Sequence, residues 1–202
     1  MASLQELLRD LDRALKANQD PIPTRLAIAE AFPETPEGAR ARYELGLTAL
    51  YLQQLDRAEV HLRAAAKAKQ KTWSHLARTS LGLVLLTQGK HQQAVFELRR
   101  AASAQPANLM VAQAAGLLHG AFVQMGNAKE ATKARAQHLA LLDGLTKHED
   151  AATAALAKYL RGMEHKFDGE RAPAKALLAA ALEGDRLPPD ERSSAERALS
   201  AL

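Results

Sequence analysis

One pattern is written twice in this chain. Leu45-Gly46 is followed by Ala58, Leu62 and Ala65, and thirty-six residues later Leu81-Gly82 is followed by Ala94, Leu98 and Ala101, with Pro106 beyond. A period in the thirties, carried by paired helical segments, describes units that cannot bury their apolar faces alone and must stack on one another. The spacing therefore predicts an all-α fold, a solenoid of stacked antiparallel helix hairpins. It also turns the question of function into a question about a surface. Small residues repeated at helix crossings are packing devices, and alanine both favours helix and lets helix axes approach closely.

Apolar periodicity and breaker residues set the expected elements. Leu4, Leu7, Leu8, Leu11 and Leu15 line one side of a helix over 3–17, which ends before a turn over Asn18–Pro23. A short helix over 24–32 follows, and Pro33 and Pro36 then break the chain by removing donors and restricting their neighbours. From there the rhythm is regular, with helices expected near 37–53, 55–69, 73–88, 91–104, 108–124 and 127–146. Gly89 and Gly126 close the first helices of two hairpins, where a left-handed backbone position is cheapest. A third copy of the pattern is degraded. Aligned on Gly126 and Ala131, it puts His119 in the glycine place, Arg135 in the leucine place and His138 in the following alanine place. Such residues either distort their hairpin or mark its contact with something other than an ordinary next repeat. Gly162, Gly169, Ala174, Leu178 and Ala181 recover the spacing after an irregular stretch over Thr146–Asp150. A helix over 190–202, with Asp190 as its expected cap, completes the chain.

These residues make the chain resemble the tetratricopeptide repeat family, whose units are two antiparallel helices of about 34 residues. Gly46 and Ala58, Gly82 and Ala94, and Gly162 and Ala174 match the family's small residues at the helix crossing. Leu45 and Leu81 match the large residue before the first of them. Leu62 and Leu98 match the large residue of the second helix, and Pro106 matches the proline between repeats. The pattern is strongest over 39–108 and extends more weakly through 188. The first-helix aromatic is departed from: Tyr43 stands one place late, and the second repeat has Arg78 instead. The resemblance implies a right-handed solenoid of three to four repeats with helical ends, in a single domain over 1–202. Residues 1–36 would form amino-terminal capping helices, 39–146 three hairpins with the third divergent, and 150–202 a fourth hairpin and terminal helix. Pro33 and Pro36 ahead of Tyr43 and Gly46 are also similar to repeat proteins of bacterial envelope and assembly systems.

The resemblance further implies that first helices line a concave face. It projects Tyr43, Leu47, Leu50 and Tyr51 there from the first good repeat and Thr79, Leu83, Leu86 and Thr87 from the second, followed by Gly116, Gly120, Val123 and Gln124. That strip is apolar with hydroxyls. Burying it contributes roughly 25 cal/mol per square ångström, enough for an amphipathic helix or apolar peptide to dock. The same side chains would serve equally as internal core or as a contact between copies. One branch of the family clamps peptide carboxyl termini with lysine, asparagine and arginine. Tyr43 and Leu47 occupy two of those places here, which argues against such a clamp.

The chemistry available is limited. The chain has no cysteine, so thiol catalysis and disulfides are excluded. It has neither a basic start with an unbroken apolar core nor a run long enough for a membrane helix, and a cytoplasmic protein is expected. The net charge of +4 is mild and argues against nucleic acid as a partner. The densest basic stretch, Arg63, Lys67, Lys69 and Lys71, reads as a solvated outer face or as a site for an acidic protein segment. The seven histidines form no HExxH or paired-ligand spacing. His119 and His138 are expected to pack or hydrogen-bond across their hairpin, with a metal or pH-sensitive contact as the alternative. Glu164, His165 and Asp168 form a local polar group without a nucleophile. Trp73, Phe96, Phe122, Tyr159 and Phe167 are expected to pack between helices, with partner contact the alternative for Trp73, Phe96 and Phe122 and a polar role the alternative for Tyr159. The sequence thus predicts a noncatalytic scaffold or adaptor for a protein or peptide, with neither cofactor nor small-molecule substrate. A homo-oligomeric assembly component is the main alternative, and a metal-dependent regulator or enzyme is a third.

Overall fold

A computed structural model describes residues 2–202, among which all regular structure is helical. Eleven α-helices follow one another: α1 (Leu4–Lys16), α2 (Ile22–Ala31), α3 (Pro36–Tyr51), α4 (Leu55–Ala66), α5 (Lys71–Thr87), α6 (His91–Ala102), α7 (Leu109–Gln124), α8 (Ala128–Leu145), α9 (Ala151–Phe167), α10 (Arg171–Leu182) and α11 (Pro189–Ser200). A 3₁₀ turn over Glu183–Asp185 separates the last two. Successive pairs pack as hairpins, α3 on α4, α5 on α6, α7 on α8 and α9 on α10, and each hairpin stacks on the next. α1 and α2 lean on α3, and α11 covers α10.

Side-chain caps fix where several helices begin. The Ser3 hydroxyl accepts from the Glu6 amide at 3.3 Å while the Ser3 amide donates to Glu6 Oε2 at 2.7 Å, a reciprocal capping box. Thr35, Asn108, Asn127 and Asp150 accept from the amides of Gly38, Val111, Glu130 and Thr153. Two expected starts differ. Pro21 and Pro23 do not end the turn before α2. Pro21 is its cap and Pro23 lies in its first turn, where a missing N–H leaves no intrahelical bond unmade. Likewise Pro188 is the cap of α11, with Pro189 at its first position, so Asp190 sits inside the first turn, where its charge opposes the helix dipole favourably.

The repeated small residues sit at the crossings. A Cβ added at Gly46 would meet Leu62 Cγ at 2.5 Å, one at Gly82 would meet Leu98 Cγ at 2.4 Å, and one at Gly162 would meet Leu178 Cγ at 3.0 Å. All three leucines are wholly buried, as are Ala58, Ala94 and Ala174. One continuous apolar core runs from α3 to α8. Smaller clusters join α1–α3, α7–α9 and α9–α11. Gly38 is required for a different reason: a Cβ there would lie 1.9 Å from the Phe32 carbonyl oxygen where α2 turns into α3.

The place of the missing aromatic in the second repeat is taken by a buried ion pair. Arg78 donates to Glu97 Oε2 at 2.5 Å and to the Ala66 carbonyl at 2.7 Å, and the Ser74 hydroxyl donates to the same carbonyl. Arg78 therefore ties α5 to its own hairpin partner and to the end of the preceding α4. Its planar fork suits this double duty.

The third hairpin crosses differently. His119, in the glycine place, turns its Nδ1 to the Ala131 carbonyl at 3.0 Å. The close approach moves to Gly116, where a Cβ would meet the His138 ring at 3.2 Å. Arg135, in the leucine place, leaves the hairpin altogether and pairs with Asp168 at the end of α9 at 2.6 Å and with Glu164 at 3.5 Å. The residues that break the pattern thus carry the contact to the fourth hairpin.

Hairpin turns repeat a left-handed residue. Gly89, Gly126 and Gly169 have φ of 73°, 69° and 77°, and Gln53 occupies the same place in the first hairpin with φ 57°. An L side chain in this conformation costs about 1–2 kcal/mol, partly offset by the extra unfolded-state freedom of glycine. Gln53→Gly is expected to stabilise the chain by up to about 1 kcal/mol in urea denaturation.

Candidate functional site

The residues projected onto the concave face divide into two groups. Tyr43, Leu50 and Leu86 are half-buried and packed against the main core. Thr79 is buried, with its hydroxyl donating to the His75 carbonyl at 3.2 Å. Tyr43 also stacks obliquely on Trp73, ring centres 5.8 Å apart, with the Arg40 guanidinium 5.8 Å from the indole. Trp73 is therefore a junction between the first two hairpins. The second group faces outward. Tyr51 is 86% exposed, Val123 56% and Leu83 36%, while Thr87 and Gln124 are exposed and Leu47 is half-buried. The Thr87 hydroxyl is used by its own helix, donating to the Leu83 carbonyl at 3.0 Å.

The exposed group extends along the ends of the first helices. Leu52 and Met125, 51% and 40% exposed, lie just beyond Tyr51 and Gln124. Phe167 is 88% exposed at the end of α9. It does not pack the late repeat as the sequence suggested. Register finds it: Phe167 stands five residues after Gly162, as Tyr51 stands five after Gly46. Between them the strip opens, because Gly120 takes the place of Leu47 and Leu83 and nothing lies within 4 Å of a Cβ built there. Of the other aromatics, Phe122 is buried beneath Arg99, and Tyr159 donates its hydroxyl to Ser194 of α11 at 3.0 Å. Phe96 points outward, against the expectation that it packs between helices.

The histidines do not gather into a site. His119 and His138 each use Nδ1 toward a carbonyl across the hairpin, Ala131 at 3.0 Å and Ala112 at 2.8 Å. Because a carbonyl only accepts, both rings carry a proton on Nδ1. His138 Nε2 lies 3.7 Å from Glu164, and His165 bonds to Glu170 in the adjoining turn. Among the described residues no group of three or more histidines and carboxylates is placed to hold a metal ion. No helix among them is long and apolar enough to cross a membrane.

Two histidines are held below the ordinary imidazole value, His75 by burial and then Arg78 and Lys71, and His61 by burial and then Arg42 and Arg57. The folded chain resists protonating these rings while the unfolded chain does not. Their contribution is intact above the ordinary value of 6.5 and is lost as pH falls below it. Replacing both by asparagine is expected to flatten the fall of the urea midpoint between about pH 7.5 and about pH 5.5 relative to the parent chain. An unchanged slope would mean that neither burial nor the basic neighbours hold these rings below their ordinary value.

Comparison with known proteins agrees with the geometry. A family model described as tetratricopeptide repeat matches residues 77–108, which span most of α5, α6 and the connection to α7. No curated protein matches the chain. Among solved structures, the crystal structure of MamA is similar at a TM-score of 0.56 and 17% identity, over 93% of this chain and 96% of that one. At that identity the likeness is one of fold. The chain thus contains one matched tetratricopeptide repeat, within a fold of stacked helix hairpins that it shares with MamA.

Proposed function

We propose that this protein is a noncatalytic scaffold whose first-helix strip docks the apolar face of a partner segment. The observation that carries the reading is the row of outward-facing apolar side chains, Tyr51, Leu83 and Val123, at successive first helices. Leu47 is half-buried on the same set of first helices, and the open space over Gly120 leaves room for a bulky side chain of the partner. An amphipathic helix suits this strip, since it offers apolar groups at a spacing of one turn and keeps its polar face in water. Anchoring aromatics such as Tyr51 contribute most where water is excluded. In this reading residues 39–146 supply the binding face, and residues 1–36 and 150–202 close the ends of a single domain. The cytoplasm is the compartment proposed for it, and cell fractionation checks that assignment.

The test is affinity capture with immobilised protein from a native lysate, followed by identification of what is retained. Leu83→Glu and Tyr51→Glu, each with an unchanged helical circular dichroism spectrum, are expected to lose the partner by about tenfold or more, because either places a charge in the apolar contact. Leu47→Ala is expected to weaken capture less. Retention of the same partner by the Leu83 and Tyr51 variants would move the binding site off this strip.

A further inference from the structure

Charge is not spread evenly along the stack. Residues 55–140 hold twelve lysines and arginines against four carboxylates, while the two ends of the chain are slightly acidic. All four carboxylates are already occupied. Asp56 accepts from Gln88, Glu59 from Arg63 and Lys90, Glu97 from buried Arg78, and Glu130 from Arg99 and Lys133. Among the described residues Lys67 and Arg100 have no carboxylate within 4.0 Å. Lys67 caps the end of α4 and Arg100 lies in the last turn of α6, both in second helices of their hairpins.

The same two helices carry two apolar side chains that no helix covers. Val60 is 66% exposed and Phe96 58%, and they hold the same place in α4 and α6, thirty-six residues apart. Val60 lies with Arg42, Arg63, Ala64 and Lys67 in a shallow trough bounded by Pro33 and Glu34, the carboxylate of Glu34 pairing with Lys69 at 3.3 Å. The Arg100 guanidinium lies 5.5 Å from the Phe96 ring centre, stacked there with its edge free. Side-chain bridges join the two helices beneath: Arg63 to Gln93 at 3.1 Å and Lys90 to Glu59 at 2.7 Å. The outer sides of the two bridged helices are thus apolar at Val60 and Phe96, with Lys67 and Arg100 as unpaired cations near them and Glu34 and Glu59 already paired with Lys69, Arg63 and Lys90.

We propose that this outer face of α4 and α6 is a second docking surface, and that its occupant is an acidic amphipathic helix of a protein partner. Such a segment would set leucine-like side chains on Val60 and Phe96 and its carboxylates on Lys67 and Arg100. A guanidinium with a free edge takes a carboxylate through two hydrogen bonds. The apolar pair is what favours a protein helix over a polyanion, because a phosphate backbone would use the cations and leave Phe96 idle. The proposal is independent of the first-helix strip and would make the chain a two-sided adaptor.

The probe is a synthetic fluorescein-labelled helix with leucines on one face and glutamates on the other, titrated with the full chain and read by fluorescence anisotropy. Binding is expected at low salt, weakening as salt rises. Phe96→Ala and Arg100→Glu are each expected to weaken it about tenfold, and Lys67→Glu somewhat less. Leu83→Glu, on the other face, should leave it unchanged. Phe96 and Arg100 are both exposed, so these variants keep the fold, which circular dichroism verifies. The proposal is overturned if the probe does not bind, if Phe96→Ala and Arg100→Glu bind as the parent does, or if Leu83→Glu abolishes binding. It is equally overturned if an oligonucleotide or anionic vesicles displace the probe and bind with no dependence on Phe96.

Discussion

The stack depends on one contact repeated three times: a glycine in a first helix lying directly against a buried leucine of the second. At Gly46 and Gly82 there is no room for a single added carbon without moving Leu62 or Leu98, and both leucines are enclosed on every side. This close approach sets the crossing of each hairpin. The crossing in turn determines which faces remain for stacking and which remain for solvent. The third hairpin has no such contact at the corresponding place. Its histidines bond to carbonyls across the pair instead, and Arg135 is released to bind Asp168 of the fourth hairpin. Loss of the packing device at one step is therefore matched by a polar device at the next.

The separation of roles is sharp. Residues that recur in register are buried and small or branched. The candidate binding residues stand beside them in the same helices: Leu83 follows Gly82, and Phe96 comes two residues after Ala94. A helical hairpin has two outer surfaces, one from each helix, and this chain leaves apolar side chains on both. They differ in charge: the second-helix surface around Phe96 is cationic, whereas the first-helix strip offers Thr87 and Gln124 as its polar groups.

Much of the fold was legible because its determinants are local. Apolar periodicity, glycine and alanine at fixed offsets and breaker prolines placed α1 to α8 and α11 to within a few residues, and the spacing from Gly162 to Ala181 announced the fourth hairpin without its bounds. What was hidden depends on the surroundings. Gln53 holds a left-handed position that its residue type does not announce. The contact of Gly116 with His138 falls outside the sixteen-residue offset that joins Gly46 to Leu62 and Gly82 to Leu98. Of the candidate site, the row of first-helix positions was readable from the repeat. The division between packed Thr79 and exposed Tyr51 was not, because it turns on the neighbouring hairpin. Phe96 and Phe167 have a core residue's composition and a surface residue's place, which only the register of their repeats reveals.

A double-mutant cycle between Gly82 and Leu98, followed by urea denaturation, tests the crossing contact most directly. Gly82→Ala alone is expected to destabilise the chain by about 1–3 kcal/mol, because the added carbon forces a packed leucine aside. In a Leu98→Ala background the same change should cost little or nothing, since the vacated space accepts it. Equal costs in the two backgrounds would contradict the account, because Gly82 would then owe its place to something other than the leucine it touches.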